Sequence, residues 1–114
     1  MPSLTFNIAE NSKSLNISEA IYLRILQKEI TQTTQDIKLL EEAIPLGDFD
    51  KVAALSHKFK GDYDNLRITQ MAQLAKGMNA LAKTTMDKEK TAGLFNEFIS
   101  CFDQLKGVVQ KSGA

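Results

Sequence analysis

The chain holds a single histidine, His57, in the run Ser56-His57-Lys58-Phe59-Lys60-Gly61. An imidazole with its ordinary pKa near about 6.5 offers a neutral, nucleophilic nitrogen around pH 7. Such a nitrogen can accept a phosphoryl group and pass it on, because the phosphoramidate it forms is itself reactive. The spacing around His57 suits that chemistry. The run reads as helix, and at about 100° per residue His57 lies roughly 140° from Val52, away from the apolar stripe Val52, Leu55, Phe59, Tyr63. Asp50, Ala53, Ala54, Lys60, Gly61 and Asp64 share its outer face.

Gly61 stands one turn after His57 on the same face. Glycine inside a helix costs roughly 1 kcal/mol relative to alanine. Removing a side chain there, with alanines one turn before the ring, would let a second molecule come close. Lys60, three residues after His57, could swing its ammonium beside phosphoryl oxygens and balance their charge. The other readings are plainer. A lone histidine in a helical protein is more often structural or simply exposed. Lys58 and Lys60 could be a solvated face, and Gly61 could mark a close helix crossing or an early helix end.

The elements that must position these residues are helical almost throughout. A first long helix is expected from about Asn16-Ile17-Ser18-Glu19, with Asn16 as cap and Glu19 as the capping-box acid. Its stripe is Leu23, Leu26, Ile30, Ile37, Leu40 and Ile44, with Thr33 filling one step. Pro45-Leu46-Gly47-Asp48 should stop it, and Asp48 should cap the next helix, about Phe49 to Asp64. Asn65 is the expected break, since asparagine tolerates the left-handed conformation. A third helix is expected over Ile68 to Lys83, with Met71, Leu74, Ala75, Met78, Leu81 and Ala82 inward. Thr84-Thr85-Met86 forms a loop, and Asp87 caps a last helix reaching about Val109 on Phe95, Phe98, Phe102, Leu105 and Val109. Four amphipathic helices on short loops predict an all-α, antiparallel up-down four-helix bundle. Residues 1–15 form an N-terminal arm or short helix, in which Leu4, Phe6, Ile8 and Leu15 could pack over one end. The bundle is expected over 16–110 and a frayed tail over 111–114.

The chain of 114 residues is one domain's length, and 14 basic residues balance 14 acidic ones. That balance gives no long-range pull toward nucleic acid or an anionic membrane. Cys101 is the only cysteine, so no internal disulfide can form, and a buried or half-buried thiol is expected. No secretory signal and no membrane span is visible, so a cytoplasmic protein is expected. One histidine and one cysteine make no zinc site. No Walker or dinucleotide glycine loop is present, which argues against a stand-alone enzyme.

The segment Ala53-Ala54-Leu55-Ser56-His57-Lys58-Phe59-Lys60-Gly61, followed by Asn65-Leu66, resembles the histidine-containing phosphotransfer (HPt) domain family. Members carry a His-x-Leu-Lys-Gly-like motif, with Phe59 in the apolar place here. The resemblance extends upstream to Leu46-Gly47-Asp48 and downstream through Leu74-Ala75 and the last helix, roughly residues 16 to 110. It implies a phosphorelay intermediate, a phosphocarrier that takes a phosphoryl group from one receiver-domain aspartate and gives it to another. By that resemblance His57 is the phosphoacceptor, Lys60 gives charge support and Gly61 gives clearance for docking. It implies no cofactor or metal on this chain, since the aspartate and Mg2+ belong to the receiver. The partners implied are receiver domains of response regulators and hybrid histidine kinases, met by a monomer through a modest interface. A second reading keeps the fold without the transfer: an adaptor that binds and inhibits a kinase or receiver. The chain departs from the family's pattern at Asp62 and Tyr63, where small residues are usual, at Arg67 in place of a glycine, and at Asn79 in place of an acidic residue.

Overall fold

A computed structural model describes residues 3–112, which form five helices: α1 (Ile8–Ser14), α2 (Glu19–Leu46), α3 (Phe49–Asn65), α4 (Thr69–Lys83) and α5 (Lys88–Lys111). α2 to α5 make the expected antiparallel bundle. Each packs on its chain neighbour, and α2 closes the ring against α5. α1 lies on α2, and Leu4, Phe6, Ile8 and Leu15 are half-buried against the core.

The helix boundaries follow from local chemistry, with some corrections to the sequence reading. Ser18, not Asn16, caps α2, its Oγ accepting the Ile21 N–H at 3.1 Å. Asn16 instead takes a left-handed φ of 57° in the α1–α2 turn. α2 ends within the expected segment Pro45-Leu46-Gly47-Asp48, running through Pro45 to Leu46. Proline costs the helix a bond to the carbonyl of Glu41, but both residues are exposed, so water can take its place. The stop is Gly47, at φ 70°, where the Asp48 N–H reaches back to the Ala43 carbonyl at 3.0 Å. Asp48 and Asp87 cap α3 and α5 as expected, accepting from the N–H groups of Lys51 and Lys90.

The break after α3 falls on Arg67 at φ 63°, not on Asn65, which is the last residue of the helix. The Ile68 N–H bonds to the Tyr63 carbonyl at 2.9 Å, the same wrap-back closure that Gly47 makes, here with a side chain on the left-handed residue. Ile68 precedes α4 rather than opening it and caps it without a side-chain bond. α5 continues past Val109 to Lys111, and Ser112 closes it with Oγ on the Val108 carbonyl. Residues 113–114 of the expected frayed tail lie outside the described residues, as do residues 1–2 of the arm.

The core holds the whole expected stripe of α5 and, from that of α3, Val52, Phe59 and Tyr63. Phe59 stacks on Phe98 with ring centroids 4.8 Å apart, and Tyr63 meets Phe98 edge-on at 5.8 Å. On α2, Leu23 and Ile30 are only half-buried, while Tyr22 and Asp36 are buried. Tyr22 is fully buried because its hydroxyl donates to the Leu66 carbonyl at 2.6 Å and accepts from Asn11 Nδ2 at 3.2 Å. It thereby ties α1, α2 and the α3–α4 turn together. Leu55, Leu74 and Leu81 are half-buried. Ser56 and Ala72 are buried instead, Ser56 satisfied by the Val52 carbonyl at 2.7 Å. Cys101 is buried, and its thiol pKa is pushed up chiefly by desolvation.

Candidate functional site

α3 carries the candidate site, anchored by buried residues on either side of His57. Ser56 and Phe59 are both fully buried. They seat the His57 turn against the bundle and leave the imidazole on the outside. His57 is exposed. So are Ala54 and Gly61, and Ala53 is half-buried. A side chain added at Gly61 would meet nothing within 4 Å, so the glycine is not there to let another helix approach. That removes the helix-crossing explanation. α3 continues to Asn65, which removes the early-end explanation as well.

The two lysines flanking the imidazole differ. Lys58 turns toward α2, where its Nζ donates to Asp36 Oδ2 at 2.8 Å. That hydrogen bond is the main cause of its raised pKa. The solvated-face alternative for Lys58 holds only in part, because its ammonium is paired. The lysine side chain is 41% exposed while that of Asp36 is only 6% exposed, so the pair joins surface to interior. Gln32 Nε2 also donates to Asp36, at 3.1 Å. Lys60 is half-buried and enters no ion pair among the described residues.

Beneath this face lies a polar network that the sequence reading missed. Thr33 on α2 and Tyr63 on α3 have hydroxyls 2.6 Å apart, and Thr33 donates to Glu29 Oε2 at 3.0 Å. Tyr63 therefore donates to Thr33. Burial pushes the Tyr63 phenol pKa well up, which keeps that proton in place. Glu29 also meets the Asp62 carboxyl, and its pKa is pushed up to about 7, first by desolvation and then by the Asp62 charge. Asp62 is thus drawn toward α2 and away from the imidazole. One sign of the network was present in the sequence: Thr33 interrupts an otherwise apolar stripe.

α4 braces the other side. Asn79 Nδ2 donates to the Ala53 carbonyl at 2.8 Å. Ala53 lies one turn before His57, and its carbonyl is the helical acceptor for the His57 N–H. Asn79, noted as a departure, is therefore joined to the histidine's own turn. Among the described residues no group of three or more His, Cys, Asp or Glu side chains could hold a metal ion. No described helix is long and apolar enough to cross a membrane.

Neither the curated proteins nor the solved structures contain a significant match to this chain. A protein-family model does match: that of the Hpt domain, over residues 24–108. The match spans all of α3 and α4 and most of α2 and α5, and includes His57, Lys60 and Gly61. Hpt domains serve histidine phosphotransfer in two-component signalling and engage receiver domains and kinases. With the all-α bundle and this coverage, the chain belongs to the Hpt domain family.

Proposed function

We propose that this protein is a phosphorelay intermediate that carries a phosphoryl group on His57 between receiver-domain aspartates. The observation that supports this best is the exposed imidazole on a helix whose adjoining outer positions, Ala54 and Gly61, are small and open. In the forward step a neutral ring nitrogen of His57 attacks the phosphorus of an aspartyl phosphate. The N–P bond forms as the P–O bond to the aspartate breaks, and the carboxylate leaves with the electron pair. The proton on the other ring nitrogen stays until solvent takes it. No base on this chain is needed. The reverse step hands the group to a second aspartate. Mg2+ and the acidic pocket would be the receiver's contribution.

Lys60 supports the charge of the phosphoryl oxygens, and Gly61 leaves room for the docking partner. The protein acts as a monomer in the cytoplasm. Its docking surface includes exposed apolar side chains along α2, among them Ile21, Ile25 and Leu39.

The test mixes the purified protein with a phosphorylated receiver. Wild type should acquire acid-labile, alkali-stable phosphate. His57→Gln should acquire none while keeping its helical circular dichroism. Wild type that binds the receiver tightly yet stays unlabelled would replace this reading with the inhibitory adaptor.

A further inference from the structure

The Asn79–Ala53 hydrogen bond fixes the register of α4 against α3. The two helices run antiparallel and share the most extensive contact in the bundle. One turn onward along α3 from Ala53 is His57. One turn back along α4 from Asn79, on the same edge, is Lys76. The two residues therefore stand at one level on facing edges of neighbouring helices. Ala72, a further turn back on α4, is buried and adds no bulk to the edge. Lys76 is exposed and enters no ion pair among the described residues.

Other charges near His57 are placed differently. Lys58 and Asp62 turn toward α2, where Asp36 and Glu29 meet them. Asp50 and Asp64 share the outer face of α3, but each is seven residues from His57, about two turns. On α4, Lys83 is two turns beyond Lys76. Lys60 and Lys76 are thus the cations that flank the imidazole, one from each helix.

We propose that Lys76 is a second cation for the phosphoryl group on His57, its ammonium reaching across from α4 to the non-bridging oxygens. This rests on His57 being the phosphoacceptor. The ammonium favours the doubly charged phosphoryl over the singly charged one, and so steadies the group while no receiver is docked. A lysine suits the task because its long stem can follow the oxygens and then yield to an incoming partner.

The test needs no receiver. Phosphoramidate serves as a small-molecule donor, and the phosphohistidine is titrated by phosphorus NMR in wild type and variants. Lys76→Ala should raise the last ionisation of the phosphoryl group by about half a unit, the effect of one charge roughly 6 Å away in water. Lys76→Glu should raise it by about twice as much, Lys76→Arg should restore the wild-type value, and Lys38→Ala, a remote exposed charge on α2, should leave it unmoved. The differences should fade in about 1 M salt. Titration of Lys76→Ala and Lys76→Glu together with wild type would overturn the inference while leaving His57 as acceptor. Failure of wild type to form any phosphohistidine would overturn both.

Discussion

The hydroxyls of Thr33 and Tyr63 lie 2.6 Å apart, joining α2 to α3 directly behind the face that carries His57. From Thr33 the chain of bonds runs on to Glu29, and Glu29 meets Asp62. Tyr63, where a small residue is usual in the family, therefore does two things. Its ring fills the core against Phe98, and its hydroxyl orients the acceptor chain that draws Asp62 aside.

Glu29 makes stability depend on pH in a defined direction. Its folded pKa of about 7 stands above the ordinary value of 4.5, chiefly through desolvation and the Asp62 charge. The folded state therefore binds more protons than the unfolded state between those values. Stability from this group is fully present below about 4.5 and is lost as pH rises through about 7. Glu29→Gln keeps an acceptor for Thr33 and places an amide donor opposite Asp62. It should raise stability at pH 8 by about 1 kcal/mol, allowing for solvent screening at this partly exposed site. It should also flatten the pH dependence of the urea midpoint between pH 5 and 8. An unchanged slope would show that the proton is held elsewhere.

Arg67 occupies a left-handed position at φ 63°, where a side chain costs roughly 1–2 kcal/mol. Its guanidinium returns a bond from Nε to Ser14 Oγ at 3.1 Å and one from Nη1 to the Asp64 carbonyl at 3.2 Å, both exposed. Exposed bonds offset only part of the strain. Arg67→Gly should therefore stabilise the protein by about 0.5–1 kcal/mol, whereas Arg67→Ala keeps the strain, loses both bonds and should destabilise it by less than about 1 kcal/mol. Denaturant unfolding of the pair decides the sign.

Asn79 supplies a donor to a backbone carbonyl, and that limits what can replace it. Asn79→Ala should cost about 1 kcal/mol for the lost, partly buried bond. Asn79→Asp should cost more, because a carboxylate would face the Ala53 carbonyl oxygen with no proton between them. An acidic side chain at this position, usual in the family, is thus disfavoured by this chain's own α3–α4 contact. Equal stability of the two variants would mean that the bond contributes nothing in solution.

The parts of the site legible in the sequence are those set by helical periodicity. Val52, Phe59 and Tyr63 repeat on one face, so the exposure of His57 followed from spacing alone. The caps Asp48 and Asp87 were legible because an N-cap needs a particular side chain. Asn79 was not, since its acceptor is a backbone oxygen, which every residue possesses. Asp36 and Glu29 escaped notice because their partners, Lys58 and Asp62, come from another helix, and only the α2–α3 register brings them together. Arg67 misled because the left-handed turn prefers glycine or asparagine, and the closure around it was strong enough to impose that backbone on an arginine.

Gly61 separates stability from function most cleanly. It lies inside α3, it is exposed, and a Cβ there would touch nothing within 4 Å. Alanine at this position restricts the unfolded chain and favours helix, with no clash to offset the gain. Gly61→Ala should therefore stabilise the fold by roughly 0.5–1 kcal/mol. Gly61→Gln should also fold at least as stably as wild type, yet its longer side chain would occupy the approach to His57 and slow phosphoryl transfer from a receiver. Phosphoramidate, being small, should load Gly61→Gln at close to the wild-type rate. Thermal unfolding, receiver transfer and phosphoramidate loading of the same variant therefore read three separate quantities. Receiver transfer at the wild-type rate would mean that the glycine has no part in docking.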